Sequence, residues 1–229
     1  MPVNKEAYQS LITELKSRHV KLVAVSKNKP AEDILALYES GQRDFAENYV
    51  QELVEKQKQL PDDIRWHFIG HLQSNKVKQI ASFVHLIQSV DSLKLLKEIN
   101  KQAEKNGRVI DCLLQIHIAQ EETKFGLDEQ ELDELMSQYA NLLMKNVRII
   151  GMMGMASFTD DMDKVRNEFK YLQSLFNKLN QPLSENDKLP TTNYQLPTLS
   201  MGMSSDYKIA IEEGSTMVRI GSLVFGERT

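Results

Sequence analysis

Cysteine is nearly missing from this 229-residue sequence. The single cysteine, Cys112, has no partner for an internal disulfide, which excludes a small secreted scaffold held together by disulfides. Cys112 lies inside the apolar segment 109–118, so we expect it to pack in the core of a protein kept in a reducing compartment.

An excess of basic residues is also missing, as is any long apolar run. The formal net charge is -4 at pH 7, and no segment interleaves arginines with aromatic residues, so we expect no nucleic-acid binding. No apolar run approaches the roughly 20 residues of a membrane span, and the N-terminal residues contain no apolar signal core. The sequence therefore predicts a cytoplasmic protein that does not bind a membrane.

Strand-like and helix-like segments alternate along the chain. Patterns with apolar residues three and four apart predict helices, and they separate short apolar runs that we interpret as strands. Such alternation is typical of a parallel sheet, and eight strands can close into a barrel. We therefore predict the α/β class and one (β/α)8 TIM-type barrel domain over residues 1–229, with an open doubly wound sheet as the alternative. The eight strands are predicted at 20–26, 44–48, 64–69, 86–90, 109–118, 148–156, 198–201 and 217–221.

The two ends of the chain predict how the barrel is completed. Asn4 can cap an additional N-terminal helix before the first strand, whereas only eight residues follow Gly221, too few for a full eighth helix. We expect the N-terminal helix to cover that gap. We also expect a helix capped by Ser74 and running to about residue 83, Leu143 on the apolar face of a later helix, and a surface loop over 181–197.

A lysine stands at the end of the first predicted strand. Alternation places Val23, Val25 and Lys27 on one face. A lysine amine among apolar side chains loses hydration of its charged form, which lowers its pKa and prepares it for Schiff-base formation. The alternative is that Lys27 only marks the strand end and extends into water.

Functional groups of such barrels lie where strands end, and a possible phosphate site is present there. The segment 200–204 leads into a helix whose N-terminal amides could bind an anion, beside unhindered backbone N–H groups at Gly221 and Ser222. As an ordinary helix cap, Ser204 would need no ligand. A lysine facing a phosphate site suits pyridoxal 5'-phosphate, and it also suits a phosphosugar aldolase. Together with Gly221, the polar residues at the ends of the predicted strands and in the loops after them are Lys27, Lys29, Asn48, His71, Lys124, Ser157, Ser200, Ser204, Arg219 and Ser222.

Two histidines are spaced in a way that invites comparison with a metal site. His67 and His71 are four residues apart around a glycine. The sequence shows no carboxylate or cysteine that would complete the site, so we predict that no metal is bound.

Five segments together closely resemble the pyridoxal phosphate homeostasis protein family, relatives of the N-terminal domain of alanine racemase. The resemblance extends over essentially the whole chain. It implies a monomeric barrel that holds pyridoxal 5'-phosphate as a Schiff base on Lys27. It also implies a role in carrying and buffering that cofactor for apo forms of pyridoxal phosphate enzymes. The segments are AVSK at 24–27, FAENY at 45–49, HFIGHLQSNK at 67–76, LSMGMS at 199–204 and VRIG at 218–221.

The resemblance also implies roles for single residues. Arg219 lies where the relatives place an arginine on the pyridine nitrogen, although a surface salt bridge is the alternative. Asn48 could contact the ring or its phenolic oxygen, or could simply cap a helix, and Lys124 could be a cofactor-side cation or a solvated loop charge. The phosphate is expected at Ser200, Ser204, Gly221 and Ser222, and which serine holds it stays open.

The predicted arginine bears on whether the protein is an enzyme. A guanidinium only donates hydrogen bonds, so Arg219 would keep the ring nitrogen unprotonated and make the ring a poor electron sink. The second base of alanine racemase comes from another domain, which we do not expect in this chain. We therefore predict a cofactor-binding protein without turnover. The alternative is an amino-acid racemase of reduced design or a Schiff-base aldolase.

Overall fold

Eight parallel strands form a closed barrel in chain order. The computed structural model describes residues 3–119, 125–181 and 196–226. The barrel closes where β1 pairs with β8, with Ala24 beside Ile220, so the predicted fold class is confirmed and the sheet is not open. The strands are β1 (Lys21–Val25), β2 (Asp44–Glu47), β3 (Arg65–Phe68), β4 (Leu86–Val90), β5 (Ile110–Ile116), β6 (Val147–Gly154), β7 (Thr198–Ser200) and β8 (Met217–Ile220).

Helices surround the barrel, and several begin at a side-chain cap that the sequence supplies. Asn4, Ser92, Asp128 and Asp161 each accept a hydrogen bond from a backbone N–H three residues later. Within the described residues, no helix is both long enough and apolar enough to cross a membrane. The helices are α1 (Lys5–Ser17), α2 (Ala31–Glu39), α3 (Val50–Gln59), α4 (Val77–Ile80), α5 (Leu93–Lys105), α6 (Glu129–Asn141), α7 (Met162–Asn180), α8 (Tyr207–Glu212) and α9 (Ser222–Phe225).

The core has two layers because alternate strand residues face opposite sides of the sheet. The larger layer lies between strands and helices and includes Leu22, Ala24 and the buried Cys112. The smaller layer fills part of the barrel interior, and Val23 and Val25 belong to it together, as the alternation predicts. The rest of the interior is occupied by polar side chains, which form part of the candidate site.

The N-terminal helix takes the place of a full eighth helix, as predicted. Helix α9 has four residues, and the backbone N–H of Asn4 donates to its Val224 carbonyl at 2.9 Å. On the other side, the Tyr207 hydroxyl of α8 donates to Glu14 at 3.1 Å. Leu15 is buried in this contact region, so α1 closes the outer layer between the last helices and β1.

Two local predictions were wrong. Ser74 does not cap a helix: it begins a 3-10 turn, Ser74–Lys76, and α4 ends at Ile80, because one helical turn already buries Val77 and Ile80 before the chain must enter β4. Leu143 lies beyond α6 and is 92% exposed, because the extended backbone of Leu142 ends that helix. Most of the predicted loop over 181–197 lies outside the described residues.

Candidate functional site

Lys27 lies in the turn that follows β1 and is half-buried. The next residue, Asn28, has a φ of 60°, a left-handed conformation that asparagine tolerates better than most residues. The chain therefore reverses directly after Lys27, at the carboxyl end of the strand whose Val23 and Val25 face the barrel interior.

The residues on both sides of Lys27 are held by a buried ion cluster. The Ser26 hydroxyl donates to Glu47 Oε1 at 2.6 Å, and Lys56 Nζ donates to the Ser26 carbonyl at 2.7 Å. The Asn28 N–H donates to Glu52 Oε1 at 2.6 Å. Lys56 also pairs with both Glu47 and Glu52, at 2.7 and 2.6 Å. The turn that carries Lys27 is thus fixed to β2 and α3.

Glu47 is the member of this cluster whose charge is least well compensated. Its side chain is fully buried, and its Oε2 atom has no hydrogen-bond partner among the described residues. Burial raises the pKa of Glu47 to about 7, and the Lys56 ammonium opposes that rise. The carboxylate therefore depends on Lys56 to stay ionised near neutral pH.

Arg219 points into the barrel and is 3% exposed, so the alternative of a surface salt bridge is wrong. Its Nη1 donates to Ser200 Oγ at 2.7 Å, and its Nη2 donates to the Gly154 carbonyl at 2.9 Å. Burial lowers the pKa of Arg219 to about 10, which still leaves the guanidinium charged at neutral pH. Both contacts leave further N–H groups of the guanidinium for a ligand.

A chain of hydrogen bonds continues from Ser200 through the barrel. Ser200 Oγ donates to Gln88 Oε1 at 2.7 Å, and Gln88 Nε2 lies 2.9 Å from His67 Nδ1. His67 Nε2 lies 3.0 Å from Asp44 Oδ1, and Asp44 is paired with Arg65. This series of hydrogen bonds therefore connects the mouth of the barrel with the first residues of β2 and β3.

The two ends of this chain fix the direction of every bond in it. A guanidinium only donates and a carboxylate only accepts, so Ser200 must donate to the Gln88 oxygen and Gln88 must donate to His67. His67 is then neutral, with its proton on Nε2. Burial lowers the pKa of His67, and the Arg65 and His67 bonds hold the pKa of Asp44 below its usual range, so both shifts agree with this assignment.

The phosphate-site residues occupy two different positions. Ser204 Oγ accepts from the Gly221 N–H at 3.3 Å, and Gly221 lies beside Val25 of β1. A side chain at Gly202, which has a φ of 98°, would collide with Ala210, so the turn before α8 requires glycine. Ser200, by contrast, is bound inside the barrel to Arg219 and Gln88 and supports the arginine.

Asn48 follows β2 and does not cap a helix, because the cap position of α3 is Tyr49. Its Oδ1 is buried and has no hydrogen-bond partner among the described residues. The end of β3 packs closely against it: a Cβ on Gly70 would lie 2.0 Å from the Asn48 carbonyl oxygen. A buried acceptor without a donor is costly, so Asn48 is suited to receive a hydrogen bond from a ligand.

The histidine pair does not form one site. His71 stacks on Phe125 at 3.9 Å and contacts Asp91, whereas His67 lies in the interior. The carboxylate that we did not find in the sequence is Asp44, whose ligand atoms come near those of His67 and His85. Asp44 and His67 already use these atoms in the hydrogen-bond chain.

Three predicted residues in the described part of the chain, Lys29, Ser157 and Ser222, lie apart from the bonds described above. Lys29 donates to the Phe225 carbonyl at 2.9 Å, at the end of α9. The Ser157 hydroxyl donates to Glu168 at 2.7 Å, which fixes the loop after β6. Ser222 is exposed as the first residue of α9, and Lys124 lies outside the described residues.

We predict that Glu47→Gln flattens the pH dependence of stability. A carboxyl group with a raised pKa in the folded state stabilises the fold below its ordinary pKa of 4.5 and loses that contribution as pH rises to about 7. As pH rises from 5 to 7, the free energy of unfolding of the variant minus that of the wild type should therefore increase by roughly 1–3 kcal/mol. Urea unfolding followed through the buried Trp66 measures this, with Glu39→Gln at an exposed position as the control. Parallel curves for wild type and Glu47→Gln would contradict it.

We predict that Gln88→Glu reverses the hydrogen-bond pattern around His67. A carboxylate at position 88 accepts from both neighbours, so His67 must carry protons on both ring nitrogens, and its pKa should rise. Gln88→Leu removes the donor without adding charge and should leave His67 neutral. Nitrogen-15 chemical shifts of the imidazole distinguish the forms. A wild-type His67 protonated on Nδ1 would overturn the proposed direction of the chain.

Comparison with known proteins agrees with this geometry. The family model described as alanine racemase, N-terminal domain, matches residues 3–229. The pyridoxal phosphate homeostasis protein of Aquifex aeolicus is 42% identical over 209 residues, covering 91% of this chain and 87% of that protein. The human protein of the same name is 38% identical over 239 residues, covering 99% and 84%.

Solved structures show the same fold. PipY of Synechococcus elongatus, with pyridoxal phosphate bound, superposes with a TM-score of 0.84 at 35% identity, covering 96% of this chain and 99% of that one. Alanine racemase of Clostridium difficile gives a TM-score of 0.71 at 16% identity, and this chain covers 59% of it, so that likeness concerns the fold alone. The chain belongs to the family described by the N-terminal domain of alanine racemase, and its near relatives in that family are the pyridoxal phosphate homeostasis proteins.

Proposed function

We propose that this protein binds pyridoxal 5'-phosphate at the mouth of its barrel and carries and buffers it for apo forms of other enzymes, as a cytoplasmic monomer with one domain. The observation that carries the proposal is that the neighbouring strands β8, β1 and β2 carry three suitable groups at or near their carboxyl ends. These are the buried Arg219, Lys27 in its fixed turn, and Asn48, whose Oδ1 has no partner among the described residues. The 35% identical PipY, solved with the cofactor, supports it.

Lys27 is the residue that we propose to hold the cofactor, as a Schiff base. Pyridoxal phosphate supplies an aldehyde for the lysine and a phosphate that anchors the other end. The bonds from Glu47, Lys56 and Glu52 fix the backbone on both sides of Lys27, so its amine is positioned by a rigid turn. Asn48 Oδ1 can accept a hydrogen bond from a protonated group beside the ring.

The phosphate is proposed to lie against Ser204, Gly221 and Ser222. The Ser204 hydroxyl accepts from Gly221, so its own proton stays available for a phosphate oxygen. Ser222 opens α9, where backbone N–H groups are not yet used by the helix. Ser200 contributes indirectly, because its hydroxyl holds Arg219.

Arg219 is proposed to donate to the pyridine nitrogen. Its pKa of about 10 is far above neutrality, so it does not pass a proton to the ring. The ring is then a weak electron sink, which favours storage over carbanion chemistry. The names of the near relatives agree with a homeostatic role.

We predict that Lys27→Ala abolishes covalent binding of pyridoxal phosphate and leaves the barrel folded. The side chain is half-buried and its turn is held by backbone and neighbouring contacts, so its removal should change stability by less than about 1 kcal/mol. Mass spectrometry after borohydride reduction should locate the adduct on Lys27 in the wild type and in the control Lys29→Ala. A principal adduct on Lys29 or Lys124 would refute the assignment.

We predict that the loaded protein restores activity to an apo form of a pyridoxal phosphate enzyme. In the proposed site, hydroxyl and backbone groups at short strand ends hold the phosphate of the cofactor. We expect such a site to leave the Schiff base open to attack by an incoming amine. Recovery is followed with a trap for free cofactor present. No recovery over hours, despite full loading at Lys27, would oppose a carrier role. Exchange of an amino-acid α-hydrogen with solvent deuterium that Lys27→Ala abolishes would favour the racemase alternative.

A further inference from the structure

A cavity of about 600 Å³ opens at the end of the barrel opposite Lys27. Lys21, Asp44 and Arg65 line it, and they are the first residues of β1, β2 and β3. The end of α1 contributes Lys16, and the loop before β2 contributes Arg43. Its volume lies within the range of roughly 300–1,000 Å³ that is typical of small-molecule sites.

The cavity carries an excess of positive charge. Lys16, Lys21, Arg43 and Arg65 line it together with one carboxylate, Asp44. Arg65 is paired with Asp44 and Arg43 with Asp63, so the excess comes from Lys16 and Lys21. The cavity therefore presents a positive field to any small anion that enters it.

Each of the four cations has donors to offer. Among the residues that the structure describes, neither Lys16 nor Lys21 is paired with a carboxylate, and both are exposed. Arg43 stacks on Tyr38 and uses Nε and Nη1 for Asp63 and two backbone carbonyls, so within the described part of the chain its Nη2 donates to no acceptor. Arg65 uses Nε and Nη2 for Asp44, and its Nη1 likewise donates to none of the described residues.

The other walls are suited to an organic body. Ile12 contributes partly exposed apolar surface to the same cavity, and the edges of the buried Tyr8 and Val20 also line it.

We propose that this cavity is a second binding site, which takes a small phosphate ester. The phosphate is bound by Lys16 and Lys21 together with the remaining N–H groups of the two arginines, and the organic part packs on Tyr8 and Ile12. Arginine forks and lysine ammonium groups are the protein donors best matched to phosphate oxygens. The site does not depend on the function proposed for the mouth, because the two share no residue.

The test measures binding of adenosine 5'-monophosphate, inorganic phosphate and adenosine by isothermal titration calorimetry at low ionic strength. We expect the monophosphate to bind more tightly than inorganic phosphate, and adenosine not to bind, because the charge and the organic body both contribute. The double variant Lys16→Gln with Lys21→Gln should bind the monophosphate at least about tenfold more weakly, because two direct cations are lost. Lys16→Arg with Lys21→Arg should retain binding.

A matched control separates this site from the mouth and from a general effect of charge. Lys94 and Lys97 are exposed on α5, and changing both to glutamine removes the same charge elsewhere. This control should keep wild-type affinity, and thermal unfolding checks that both double variants fold. Equal affinity in the wild type and the Lys16→Gln, Lys21→Gln variant would overturn the proposal, as would absence of monophosphate binding to the wild type at millimolar concentration. Either failure would leave adduct formation at Lys27 unaffected.

Discussion

The structure of the barrel interior depends on the burial of one guanidinium. A charged group without water requires acceptors, and Arg219 finds two of them in Ser200 and the Gly154 carbonyl. Ser200 accepts a hydrogen bond from the arginine, and its own hydroxyl proton is satisfied because Gln88 Oε1 accepts a hydrogen bond from it. Gln88 in turn needs an acceptor for its amide N–H, which His67 provides, and His67 needs one for its own N–H, which Asp44 provides. The two ends of the barrel are therefore joined by one set of mutually dependent hydrogen bonds.

Strand β2 shows how alternation separates two buried acids that lie three residues apart. Asp44 faces the interior, where Arg65 and His67 donate to it, and these bonds lower its pKa. Glu47 faces α3, where one of its oxygens has no partner among the described residues, and burial raises its pKa. Asp44 therefore anchors the amino end of the interior chain, whereas Glu47 and Lys56 hold the turn of Lys27.

Much of the fold and part of the site could be predicted from the sequence. The eight strands, the N-terminal helix and the inward face of β1 follow from local periodicity, which one sequence contains. Gln88 and Asp44 were missed because their roles depend on partners on other strands, although both are polar residues at inward positions. The separation of Ser200 from Ser204 could not be predicted either, since it depends on where β7 ends.

The direction of the interior chain bears on what the mouth can do chemically. If His67 gained a second proton, it would present a donor to the Gln88 amide nitrogen. The side-chain amide of Gln88 would then have to flip by 180°, and the Ser200 hydroxyl would lose the acceptor that lets it support Arg219. A proton therefore cannot move along this chain without disrupting its hydrogen bonds. An arginine held in this way remains a donor throughout the physiological pH range, which suits a site that keeps a bound cofactor in one protonation state better than a site that must exchange protons in each cycle.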